Sequence, residues 1–282
     1  MKCLRDARGD PCYHADIPMD ARELIVRLDD LEAAAYRDHF AAAPAHLGVS
    51  TLNQGGVTVL RAPTIPSPML NRVIGLGNHA EASDDDIDGV LAAIGPVTLF
   101  VHVGPAARPS DLRARLETRG LAPASRPSWV KVARGREPAP AVDTELDVRE
   151  LGPDHADAFG RVATVAFEMP PSLAPWFAAL VGRPRWRVFG AFAGDELAGV
   201  GALFLDGEAA WVGIGGTLPA HRGRRAQRAV MARRIDAAIG AGCTLIATET
   251  GEPAPGTRNP SLDNMIACGF RPVCVRLNLA RR

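Results

Sequence analysis

Aromatic side chains are scarce in this chain: 2 Tyr, 4 Trp and 9 Phe supply 5 % of its 282 residues. Apolar content is nevertheless 47 %, so a sizeable core can form, built mostly from Ala, Val, Leu and Ile. Surplus charge is missing too. Lys+Arg and Asp+Glu are both 32, which argues against a general nucleic-acid binder, since such proteins carry a basic footprint. It argues equally against a dedicated binder of acidic membranes. The five cysteines, Cys3, Cys12, Cys243, Cys268 and Cys274, are odd in number and form no CxxC. They fit a reduced intracellular protein better than a disulfide framework or a zinc site. The start, MKCLRDARGD, is charged and has no apolar h-region. No run approaches the roughly 18 apolar residues of a membrane span. The expectation is a cytoplasmic protein with no membrane, nucleic-acid or metal partner.

What is present is an α/β pattern in two halves. Residues 1–20 read as an irregular arm. Segment 20–43 is helical in composition and reads as two helices. Strands are expected at 55–63, 71–77, 96–104 and 128–134. Helices are expected at 83–95, with Ser83 as N-cap and acids in the first turn, and at 109–121, stopped by Gly120. The proline-rich stretch 135–145 has no apolar periodicity and reads as a linker. It divides a first domain, 21–135, from a second, 145–282, with 136–144 between them. In the second, strands are expected at 145–151, 186–194, 197–205, 209–215, 244–250 and 272–279. Helices are expected at 154–167, 172–181, 222–241 and 261–269. Each half ends in strand, short helix, Gly and strand, with Gly120 and Leu121 matching Gly269 and Phe270, which points to an internal duplication.

The most informative segment is TLPAHRGRRAQRAVM (217–231). An apolar strand leads into Gly215 and Gly216, and an amphipathic helix follows, with Met231, Ile235, Ala238 and Ile239 on one face. Arg222, Gly223, Arg224, Arg225 and Arg228 cluster at the junction. A helix start presents unpaired N–H groups and the positive end of the dipole. Glycine lets the backbone approach a ligand closely, so the junction offers a phosphate site. A nucleotide binder of another class lacks support, because there is no GxxxxGK[ST] and no GxGxxG after a strand.

On these residues the second half resembles the GNAT-type N-acetyltransferase superfamily. PAHRGRRAQRAVMARR (219–234) is similar to the acyl-CoA motif R-x-x-G-x-G/A. NPSLDNMIACGF (259–270) is similar to the late motif, where an Asn or Ser helix leads to Gly-Phe. The order of elements over 145–279 also fits, and the first half resembles a degenerate copy. The resemblance implies two tandem GNAT-like domains, each a mixed central sheet flanked by helices, with acetyl-CoA as cofactor. It implies cofactor contacts at Gly215, Gly216, Thr217, Leu218, Arg222, Gly223, Arg224, Arg225, Ala226, Gln227, Asn259, Ser261 and Asn264. A bulge near Gly215 and Gly216 would free backbone groups for the thioester.

The chain departs from the motif twice. The second glycine position holds Arg225 and the third Gln227. The late helix has Met265, best read as packing, where many members carry a tyrosine acid. Ser261 and Asn264 are then candidates for catalytic hydrogen bonds. An alkylamine is protonated at pH 7, so a base is needed. Glu249 is the leading candidate, ahead of Glu208, Glu168, His155 and His221. Cys243 and Cys268 read as small buried hydrophobes. The implied function is transfer of an acetyl group to the primary amine of a small molecule or peptide. The alternative is a catalytically weak acyl-CoA-binding regulatory module. A pocket between the halves would let first-half residues such as Tyr36 shape specificity.

Overall fold

The computed structural model describes residues 20–281. The arm expected over 1–20 lies outside the described residues except for Asp20, and so do Cys3, Cys12 and Tyr13. The Asp20 carboxylate accepts from the N–H groups of Arg22 and Glu23 and so caps α1 (Ala21–Ala41). The two helices expected over 20–43 are one. Buried Leu24, Ile25, Leu28, Leu31 and Ala35 keep helical spacing throughout, and no Gly or Pro interrupts them.

The first half continues with β1 (Ser50–Gln54), β2 (Val57–Arg61), β3 (Arg72–Ile74), α2 (Asp84–Ile94), β4 (Phe100–Val103), α3 (Leu112–Thr118) and β5 (Leu121–Arg134). All five residues of β1 are exposed, so no alternation marks it in the sequence. Ser83 caps α2 in a reciprocal box with Asp86. The second half holds β6 (Asp147–Glu150), α4 (Ala156–Ala166), α5 (Ala174–Ala178), β7 (Trp186–Ala193), β8 (Glu196–Asp206), β9 (Ala209–Thr217), α6 (Ala226–Gly240), β10 (Leu245–Gly251), α7 (Pro260–Ala267) and β11 (Arg271–Arg281). Two helices are shorter than expected. Short 3-10 turns at Pro153–His155 and Pro171–Leu173 take up their first residues. The helix expected from 222 begins at Ala226, because Gly223 and Arg225 are left-handed (φ 84° and 62°) and prolong the turn.

All eleven strands form one sheet, in the order β1-β2-β3-β4-β11-β5-β10-β9-β8-β7-β6. β3 and β4 are parallel, with α2 in the crossover. β9 and β10 are parallel, with α6 in the crossover. Gly120 and Gly269 each turn a short helix into the following strand at φ 83° and 86°. From β1 and from β7 onward the halves therefore repeat one order of elements. They also exchange their last strands: β5 pairs with β10 of the second half, and β11 pairs with β4 of the first. β5 and β11 pair with each other at the centre.

Strand alternation sorts the helices. Leu60, Ile74, Ala133 and Trp211 pack with α1, α4 and α5 on one face. Their neighbours Val132 and Val212 pack with α6 and α7, and Val59 and Val73 with α2 and α3, on the other. Six buried charges hold α1 to the sheet. Glu32 accepts from Arg72 (2.9 Å), Lys131 (2.6 Å) and Arg276 (2.6 Å). Asp29 takes Lys131 and Arg276 (2.9 and 3.2 Å), and Glu249 takes Arg276 and Arg72 (2.6 and 3.3 Å). With Glu249 ionised, three acids balance three bases. Burial alone would raise the Glu32 carboxyl, but Arg276, Lys131 and Arg72 hold it well below the usual range. Cys243, Cys268 and Cys274 are buried and free.

Candidate active site

The site begins where β9 leaves β10. Their parallel pairing covers only 209–211 against 245–247. Beyond it Thr248 puts its hydroxyl where the next strand bond would be, donating to the Val212 carbonyl at 2.6 Å. On the other side of β9, the register with β8 slips between Gly213 and Gly216, opposite Ala202 and Val200. The extra residue is a bulge, as expected near Gly215, and it places β-branched Ile214 at φ 49°. The bulge is held from below. Buried Arg234 of α6 donates to the carbonyls of Ala202 (3.1 Å) and Gly213 (2.8 Å). A Cβ at Gly201 would lie 2.5 Å from the Arg234 guanidinium carbon, so a side chain there would displace the guanidinium from the bulge. Burial pulls Arg234 down to about 9. Nothing in the sequence marks this residue, which reads as one more arginine of an Arg-rich helix.

The opening between β9 and β10 leads into a cavity of about 210 Å³ that passes through the sheet. Gln227, Met231, Ser261 and Met265 line it on the α6–α7 face. Tyr36, His39 and Phe177 line it on the other, and Glu249 and Thr250 stand between. Met265 is 5 % exposed and belongs to the core, as its reading required. Trp129 reaches the cavity from the exchanged strand β5. The sequence reading missed it, because which half a terminal strand joins is not encoded in its own pattern.

Gly216 packs against α4: a Cβ there would sit 2.4 Å from Ala166 Cβ. The Leu218 N–H bonds to the Ala198 carbonyl and extends the ladder past Thr217, whose hydroxyl is buried without a partner. At the start of α6, no side chain caps the helix. The first-turn N–H groups of Ala226, Gln227 and Arg228 thus have no capping acceptor. Arg222 and Gly223 are exposed beside them. Arg225 keeps the left-handed conformation that the motif's glycine would adopt easily. Its guanidinium turns to Asp143 (3.0 Å), and that of Arg224 to Glu145 (2.8 Å) and the His221 ring (2.8 Å). Gln227 donates to Ser261 (3.1 Å) and accepts from Asn264 (2.8 Å). Three residues distant in sequence thus meet across the α6–α7 seam. Asn259 caps α7 through Ser261 and Leu262 and donates to the Gly251 carbonyl at 2.6 Å.

The equivalent crossover in the first half is electrostatically opposite. α2 starts with Asp84, Asp85 and Asp86 and is already capped by Ser83. Carboxylates favour a helix start but repel a phosphate there. Of the two crossover helices, α6 combines a start without a side-chain cap with arginines.

Glu249 reaches the opening from β10 with its side chain 6 % exposed. Burial, with the Glu32 carboxylate, pushes it up to about 7 against the pull of Arg276. The other base candidates stand elsewhere. Glu208 lies in the β8–β9 turn, Glu168 is exposed after α4, and His221 is tied to Glu196 at 3.0 Å. His155 packs on Phe192.

No family profile and no curated protein matches the chain in sequence. Solved structures do match it. A GCN5-related N-acetyltransferase from Kribbella flavida superposes at TM-score 0.61 with 16 % identity, over 90 % of this chain and 95 % of that one. One from Sphaerobacter thermophilus gives 0.58 and 17 %, over 94 % and 93 %. The exchange-linked sheet with its parted parallel pair is the GNAT fold. The chain carries two copies of it in tandem, as does a tandem GNAT protein from the clavulanic acid biosynthesis pathway (TM-score 0.56, 17 % identity, 94 % and 97 % covered). Among the described residues no helix is long and apolar enough to cross a membrane.

Proposed function

We propose that this chain is an acetyl-CoA-dependent N-acyltransferase acting on a primary amine by direct attack. The observation that carries this reading is the meeting of three features at one opening. They are the parted edges of β9 and β10, the uncapped start of α6, and a carboxylate titrating near neutrality. Arg222, Gly223 and the N–H groups of Ala226 and Gln227 would hold the pyrophosphate. The β9 edge at Gly215, Gly216, Thr217 and Leu218 would hold the pantetheine arm. Acetyl-CoA, when bound, supplies an acyl carbon from which an amine displaces the thiolate. Glu249 accepts the amine's proton. Backbone N–H groups of β9 beyond its pairing with β10 would favour negative charge on the carbonyl oxygen. Ser261 and Asn264 position Gln227, which closes the α6–α7 seam. The second domain, 145–282, would be the catalytic one and the first, 21–135, its wall.

A second reading rests on Arg224 and Arg225. Both are engaged by Glu145 and Asp143, which leaves Arg222 as the main free cation and favours a weak, regulatory acyl-CoA binder. Calorimetry with acetyl-CoA separates the readings when followed by thiol release with an amine panel. Micromolar binding that Gly223→Asp abolishes, together with turnover, supports the enzyme. Unchanged affinity in Gly223→Asp contradicts the proposed site.

A further inference from the structure

Aromatic residues are few here, yet they converge. Tyr36, Trp129, Phe167, Phe177 and Trp211 all line the cavity that passes through the sheet. The other two tryptophans, Trp176 and Trp186, stand just behind it, with ring centroids 4.9 and 6.3 Å from the His39 ring. All four tryptophans of the chain therefore surround this volume. Elsewhere in the core the buried aromatic side chains are phenylalanines such as Phe159, Phe189 and Phe270, so the tryptophans are concentrated here.

The rings are oriented from below by the buried charge cluster. Arg72 lies over both Tyr36 (4.5 Å) and Trp129 (4.6 Å), and Lys131 over Trp211 (5.1 Å). Such contacts fix ring planes and lend each ring a cation on one side. Among the residues lining the cavity the acid is Glu249, and it is shared by Arg276 and Arg72. Arg126 and Arg234 also line the cavity. The lining thus holds two arginines and one carboxylate, while the cluster beneath it has as many acids as bases. A polycationic acceptor would meet repulsion from Arg126 and Arg234, since like charges in a partly desolvated site disfavour each other. Volume limits the acceptor as well. An apolar cavity of about 150 Å³ admits benzene, so about 210 Å³ admits one ring with a short arm. A larger acceptor would have to project through the opening.

We infer that the acceptor is a small monoamine carried on an apolar, ring-sized body, of the arylalkylamine class. It would sit between Trp129, Trp211 and Phe177 with its nitrogen toward Glu249. This rests on the acyltransferase reading above. In the reaction, the amine nitrogen forms the bond to the acyl carbon, the carbon–sulfur bond breaks, and the amine proton passes to Glu249. Specificity comes from the aromatic walls, four of them supplied by α1, β5, α5 and β9.

The test is binding, measured apart from turnover. The full-length protein is titrated with phenethylamine, with spermidine and with kanamycin, by tryptophan fluorescence and calorimetry, with and without coenzyme A. Saturable phenethylamine binding at least ten-fold tighter than either polycation is expected. Phe167→Ala, at a 36 % exposed position that tolerates truncation, should weaken phenethylamine several-fold and leave acetyl-CoA affinity unchanged. Polycations binding as tightly as phenethylamine, or no phenethylamine binding while acetyl-CoA binds, overturns the inference. A protein that binds phenethylamine but no acetyl-CoA keeps the ligand class and overturns its role as acceptor.

Discussion

His39→Gln isolates a single buried proton site. The His39 ring is enclosed by Trp176, Phe177 and Trp186, and neither ring nitrogen has a hydrogen-bond partner. Burial, helped by Arg183, lowers its pKa from 6.5 to about 3. The folded protein therefore refuses a proton that the unfolded chain accepts below 6.5. Stability is fully present above pH 6.5 and is lost as pH falls toward 3. At about 1.4 kcal/mol per unit the whole effect is about 5 kcal/mol, of which about 2 kcal/mol is lost by pH 5. Glu249 acts in the opposite sense. Its folded value of about 7 lies above its ordinary 4.5, so protonation favours the folded state as pH falls through that window. His102, buried and held well below 6.5, acts in the same sense as His39, so the difference from the variant is the informative quantity. Urea unfolding of both proteins at pH 8, 7, 6 and 5 measures it. The wild type should lose about 2 kcal/mol more than His39→Gln between pH 8 and 5. Parallel curves across that range would refute the assignment of a neutral, unpartnered His39.

Two further outcomes follow from the site. With Glu249 as base, kcat/KM should rise through a pH of about 7, and Glu249→Gln should lower it by roughly 10²- to 10⁴-fold and flatten the profile; a variant of undiminished rate contradicts the role. Gly216→Ala sets a methyl 2.4 Å from Ala166 Cβ, so thermal melts should show a loss of about 1–3 kcal/mol, and an unchanged Tm would show that α4 yields freely.

The local chemistry of the chain was legible because it depends on neighbours in sequence. Ser83 and Asp86 announce the start of α2. Gly215 and Gly216 mark the bulge, and the HRGRR turn marks the helix start. Glu249 was placed at the cleft from its strand alone, and the cavity does include it. What was not legible depends on partners far away. Arg72, Lys131 and Arg276 look like surface charges until Asp29, Glu32 and Glu249 are brought to them. The roles of Arg224 and Arg225 changed for the same reason: Asp143 and Glu145, in and beside the linker, compete for them. The late-helix position held by Met265 is apolar, and a tyrosine comes to the cavity instead from α1, as Tyr36.

The central strand pair also sets a clock for biosynthesis. β4 needs β11 beside it, as in the pairing of Val103 with Leu277, yet roughly 170 residues are translated between them, ~10–30 s at ribosomal speed. Throughout that interval the nascent first half carries an unpaired strand edge, and the buried charge cluster lacks Arg276. The amino-terminal half therefore cannot be finished before the last residues emerge. Until β11 emerges, that open edge is the nascent chain's aggregation-prone face.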